Sequence, residues 1–306
     1  MQVDQLYQLF SFSLWMGAAI LWLVLLTRLL KRQPLLTYRP HCLRPWLAEE
    51  VLLAFAMWLI TPSLVLSLMR PADPEFRLLL FAVSLTCVGL VIYALLRIRQ
   101  QMALRNKIGN DATETTTICQ ANHEAKLSFV IGPKGLRFAT LTGLAVFVAW
   151  VPIVLLVHQW ASDLIKYEHS TLSIIKDAAA ENRFRVAVIT LFAAAVVAPV
   201  FEEFLFRGIL QGFLTRIEFT LIRRGCENPT QARGVAWFAI LITSLAFGLT
   251  HFGQGAAPIS LFLLSLGIGY LYDRTGSLWA CIVVHFLLNF STLAFAIAAM
   301  YQGDAA

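Results

Sequence analysis

Residues 195–210 read AVVAPVFEEFLFRGIL, inside an apolar tract that runs from about 187 to 214. Two adjacent carboxylates, Glu202 and Glu203, and one guanidinium, Arg207, stand in a run otherwise made of Ala, Val, Leu, Ile, Phe, Pro and Gly. Crossing a bilayer core about 30 Å thick takes roughly 20 apolar residues in a helix, and this tract is long enough. A charged group at the centre of such a helix costs about 2.5–3.5 kcal/mol on insertion. Three of them in ten residues point to a function that outweighs the cost.

The rest of the chain has the same character. Of 306 residues, 58% are hydrophobic and 14% charged, and the mean hydropathy is +0.71. Soluble domains carry about 25% charged residues, so this is a membrane composition. The net charge of +6 would suggest nucleic acid in a soluble chain. Here the basic residues fall between apolar spans, so no nucleic-acid partner is expected and the lipid bilayer is. Cys42, Cys87, Cys119, Cys226 and Cys281 are scattered, odd in number and form no CxxC pair, which excludes a disulfide framework or zinc finger. The first apolar run lacks a basic leader and an A-x-A site, and reads as a retained helix.

Eight candidate spans emerge, near 6–27, 48–69, 77–96, 138–160, 187–214, 235–252, 257–272 and 277–300. Backbone groups in lipid must be satisfied within each segment, so the expected fold is all-α, a polytopic membrane bundle of about eight transmembrane helices. Lys and Arg concentrate in the odd-numbered connections, for example Arg28, Lys31 and Arg32 in the first and Arg97, Arg99 and Lys107 in the third. That bias puts these loops in the cytoplasm and both termini outside. The least apolar stretch, 108–128, contains Thr115, Thr116 and Thr117. It divides a three-helix region, 1–137, with a polar cytoplasmic loop, from a second region, 138–306.

Polar residues enter two further spans. The sixth ends in LAFGLTHF, with Phe247 and His251, and the eighth contains VVHFLLNF, with His285 and Asn289. Glu203 and Arg207, Phe247 and His251, and His285 and Asn289 are each four residues apart, so each pair shares one helix face. Glu202 is turned about 100° from Glu203 and addresses a different neighbour. A carboxylate, two imidazoles and an amide on three helices are the groups peptide hydrolysis needs: a base, a partner for the water, and donors to an oxyanion. Each feature alone has a plainer explanation. Glu203–Arg207 can be a structural pair, His251 an interfacial residue, and His285 with Asn289 interhelical hydrogen-bonding groups. Glu49 and Glu50 form a second acidic pair, read as a cap on the second helix. His41, His123, His158 and His169 fall in loops or at span ends, as solvated residues.

Glu202-Glu203-x-x-x-Arg207, Phe247-x-x-x-His251 and His285-x-x-x-Asn289, in this order on separate apolar helices, resemble the three motifs of the CPBP intramembrane proteases. That family includes the type II CaaX prenyl endopeptidases and bacterial proteins labelled abortive-infection or bacteriocin self-immunity. The resemblance covers about 138–300 and extends to Gly208 after the arginine. It implies an intramembrane endopeptidase in which Glu202 activates water, His251 assists it, and His285 and Asn289 bind water or stabilise the oxyanion. Glu203 and Arg207 then brace the site. The implied substrate is a membrane protein or a peptide lipidated at its C-terminus. Two alternatives stay open: a non-proteolytic scaffold or immunity-type protein on the same fold, and a transporter using the buried groups as a proton relay.

The resemblance also leaves the cofactor open. Glu202, His251 and His285 are a legitimate zinc set, but there is no HExxH. A metal-free glutamate base is the favoured expectation, because the surroundings are rich in Phe and no acidic group is evident to orient the histidines as metal ligands require.

Overall fold

The computed structural model describes residues 3–33, 35–36, 47–70, 73–108, 135–165, 176–177, 180–181, 183–223 and 235–303. They form eight helices and, among the described residues, no strand: α1 (Val3–Leu30), α2 (Ala48–Met69), α3 (Pro74–Ile108), α4 (Leu136–Leu164), α5 (184–223), α6 (Trp237–Thr250), α7 (Ala257–Thr275) and α8 (Leu278–Gly303). The separating stretch 109–128, Cys42, Cys119, Cys226, His41, His123 and His169 lie outside the described residues, as does most of the connection between the first two helices.

Six helices, α1 to α5 and α8, are long and apolar enough to cross a membrane. The chain is an integral, multi-pass membrane protein. The other two expected spans are present as helices but fall outside these six. α6 has 14 residues, about 21 Å at 1.5 Å per residue, short of the roughly 30 Å core. α7 carries Asp273 and Arg274 in its last turn and is not among the six. Both therefore depend on their neighbours, and they pack closely against each other. A Cβ on Gly248 would come within 2.8 Å of the Pro258 carbonyl. His251 follows the last turn of the short α6, and Glu202 lies midway along α5.

The core is assembled from small residues that let helices approach. Gly143 on α4 faces the Ala280 carbonyl of α8, and the Trp150 ring lies on Gly267 of α7 while its Nε1–H donates to the Leu263 carbonyl at 3.0 Å. α1 joins this layer, with Trp22 Nε1–H donating to the Ala149 carbonyl at 2.7 Å. α2 and α3 pack on α5: Val51, Ala54, Val88, Ile92 and Leu96 form one apolar cluster with Leu205, Phe206, Ile209 and Phe247. The Phe201 ring occupies the space over Gly89 where a Cβ would stand. Gly89→Ala is therefore expected to destabilise the protein by about 1–3 kcal/mol through overpacking, read as a lower melting temperature in detergent. An unchanged melting temperature would mean that Phe201 turns away freely. The Glu49–Glu50 pair behaves as expected, since Glu50 Oε2 accepts from the Leu47 N–H at 2.8 Å and caps α2.

α5 is not a uniform helix. Two π-helical segments, Ala193–Val197 and Phe204–Gln211, flank the α-helical turn Ala198–Glu203. Pro199 accounts for the first. Proline has no N–H and its ring crowds the carbonyl a turn earlier, which a wider turn relieves. In that wider register the Ala198 N–H bonds to the Ala193 carbonyl. The donor due to the next carbonyl, Ala194, would be residue 199, which is proline.

Candidate active site

Asn289 of α8 takes up that carbonyl, its Nδ2–H donating to Ala194 at 2.9 Å. The bond ties α8 to α5 about two turns before the carboxylates. It also occupies one of the two amide hydrogens of the residue expected to stabilise an oxyanion, leaving the second.

Glu203 is the hub. It is fully buried, and its Oε2 accepts from Arg207 Nε at 2.9 Å while its Oε1 meets His285 Nδ1 at 2.9 Å. The expected Glu203–Arg207 pair is thus present, with a second partner that spacing alone did not reveal. Arg207 donates onward through Nη2 to Ser265 Oγ of α7 at 2.9 Å and lies over the Phe247 ring, 5.7 Å from its centroid. Hydrogen bonds through Nε and Nη2 and the Phe247 ring offset much of the cost of burying the charged pair.

A carboxylate paired with a guanidinium accepts, so His285 Nδ1 carries a proton, and in the neutral ring Nε2 keeps its lone pair. That nitrogen faces Glu202 Oε2 at 3.7 Å. Glu202 is 14% exposed and His285 2%, so the sequence Glu203–His285–Glu202 runs from the dry core to an accessible carboxylate. His251 is fixed in the same sense. Its Nδ1 lies 2.9 Å from the Phe247 carbonyl and 3.2 Å from Thr250 Oγ1. A carbonyl only accepts, so Nδ1–H donates and Nε2 is again free. The Phe247 ring stands between the imidazoles, with centroids 5.0 Å from His251 and 5.7 Å from His285.

The structure therefore brings Glu202, Glu203, Arg207 and His285 into one connected chain, with His251 next to it across Phe247 and Asn289 one turn along α8. Gln211, Ser265 and the Ala194 carbonyl were not singled out in the sequence. Gln211 follows Arg207 at the same spacing of four that links Arg207 to Glu203, which was a legible signal. His158 is not merely solvated, since its Nδ1 lies 3.0 Å from Ser260 Oγ.

The fit to zinc is mixed. Both imidazoles have Nδ1 anchored on an acceptor, as metal-binding histidines do. The expectation that no acidic group orients them is corrected, because Glu203 orients His285. Yet among the described residues no three His, Cys, Asp or Glu side chains converge as a metal ion requires. No step is therefore derived through a metal. Activity is expected to survive dialysis against a strong chelator; loss of activity together with one zinc per chain would reverse that.

Fold and site together define a helical membrane protein with a carboxylate, imidazole and amide centre inside the bundle. Residues 184–291 match the Rce1-like family, described as type II CAAX prenyl endopeptidase Rce1-like. This segment carries all three motifs, so the CPBP resemblance holds and the chain contains a domain of the CAAX-protease type. No curated protein and no solved structure matches the chain.

Proposed function

We propose that the protein is an intramembrane endopeptidase that hydrolyses peptide bonds of membrane-associated substrates lipidated at the C-terminus, using water activated by Glu202. The observation that supports this most is the Arg207–Glu203–His285–Glu202 chain within helices of a CAAX-protease-type domain. Glu202 takes a proton from water as the oxygen attacks the carbonyl carbon. His285 Nε2, an acceptor facing that carboxylate, can receive the proton and pass it to the leaving amine. Glu203 then stabilises the imidazolium, as the buried carboxylate does in a serine-protease triad. His251 Nε2 orients the attacking water, and the second amide hydrogen of Asn289 is available to the oxyanion.

Full-length protein in lipid nanodiscs, given a peptide with a C-terminal prenylated cysteine in water enriched in oxygen-18, tests the proposal by mass spectrometry. One heavy oxygen in the new carboxyl group and slower cleavage of the unlipidated peptide are expected. Equal rates would remove the lipid from the substrate, and no hydrolysis of either peptide would remove the protease.

A further inference from the structure

Four buried polar atoms between α5, α6 and α7 have no hydrogen-bond partner among the described residues: Nη1 of Arg207, Oε1 of Gln211, Oγ1 of Thr243 and Oγ of Ser244. All four residues are fully enclosed. Two independent contacts place them on one seam. A Cβ on Gly269 of α7 would come 3.3 Å from Gln211 Oε1 and 3.7 Å from Arg207 Nη1, and 3.1 Å from Ile240 of α6. The bare glycine thus lets Gln211, Arg207 and Ile240 lie close against α7, two of the partnerless atoms among them. On α6, Ile240 faces Gly269 and Gly248 faces Pro258 and Phe262. That register brings Ser244 level with Ser265, the residue holding Arg207 Nη2. Thr243 lies one turn before Phe247, whose ring meets Phe206 of α5 with centroids 5.0 Å apart, so it turns toward α5.

Buried polar groups in native proteins are satisfied by protein or by ordered water. The groups here are one cationic donor, one carbonyl acceptor and two hydroxyls that do both. Arg207 disfavours a cation and the Gln211 carbonyl an anion; water, which donates and accepts, suits the whole set. We propose that the seam between α5, α6 and α7 is an internal water site that completes the hydrogen bonding of Arg207 and Gln211 behind the Glu203 pair. Hydration there keeps the guanidinium at low cost in the middle of the bundle. The inference does not depend on proteolysis.

X-ray hydroxyl-radical footprinting of the full chain in nanodiscs reads bound water directly. Ile240, buried and beside the seam, is expected to be oxidised, while Ile268, equally buried in the apolar cluster of α4, α7 and α8, stays unmodified. Thr243→Val combined with Ser244→Ala, and separately Gly269→Ala, should each bring Ile240 down to the level of Ile268. Ile268 reports folding in the same sample. Oxidation of wild-type Ile240 no greater than that of Ile268 would overturn the proposal. So would labelling unchanged in the folded variants.

Discussion

Replacing Arg207 with alanine is expected to cost about 3–5 kcal/mol and to deplete folded protein, because it strands a buried carboxylate. The guanidinium is fully enclosed, holding Glu203 through Nε and Ser265 through Nη2, each at 2.9 Å. With it gone, Glu203 retains, among the described residues, the bond to His285 alone, and an uncompensated anion stays in the low-dielectric centre of the bundle. Arg207→Lys is expected to recover part of the stability. Lysine keeps the charge but cannot reach two acceptors with a rigid planar fork. Thermal unfolding followed by size-exclusion chromatography in detergent measures both. A stable, fully active Arg207→Ala protein would mean that Glu203 does not need its cation.

What could be read from the sequence followed local periodicity. The spacing of four that linked Glu203 to Arg207 appears as a 2.9 Å ion pair, and the one that linked Phe247 to His251 appears as ring contact plus a hydrogen bond to the Phe247 carbonyl. Both lie within one helix, where geometry is fixed by the backbone. The placement of Glu202 midway along its helix was also accessible, since GILQGFL after Arg207 stays apolar.

What could not be read depended on how helices face each other. The bond from Glu203 to His285 spans 82 positions, and no pattern within either helix specifies it. The π-helical turns illustrate the boundary. Pro199 frees a carbonyl nearby, and the identity of that carbonyl's partner, Asn289, required the packing of α8 on α5. The same holds for the first three helices. Their apolarity marked them as spans, while the seating of α2 and α3 against Phe206 and Phe247 became visible only in the assembled cluster.

The adjacent carboxylates are expected to fail in different ways, and this separates catalysis from support. Glu202→Gln removes the accessible base while preserving shape and leaving the Glu203–Arg207–His285 bonds intact. Turnover should fall by at least about 10²–10⁴-fold, the range supplied by general bases, with the melting temperature unchanged. Glu203→Gln acts from behind. It removes the charge that balances Arg207 and offers His285 an amide that can present either donor or acceptor, so the ring is no longer held with its proton on Nδ1. The equivalent change in a serine-protease triad lowers kcat about 10⁴-fold, and a loss of similar order is expected here together with a lower melting temperature. Parallel kinetics on a lipidated peptide and unfolding curves for both variants decide the matter. If Glu202→Gln unfolds while Glu203→Gln melts like wild type, the accessible and the bracing carboxylate have been assigned the wrong way round. If Glu202→Gln cleaves at the wild-type rate, the base is another group.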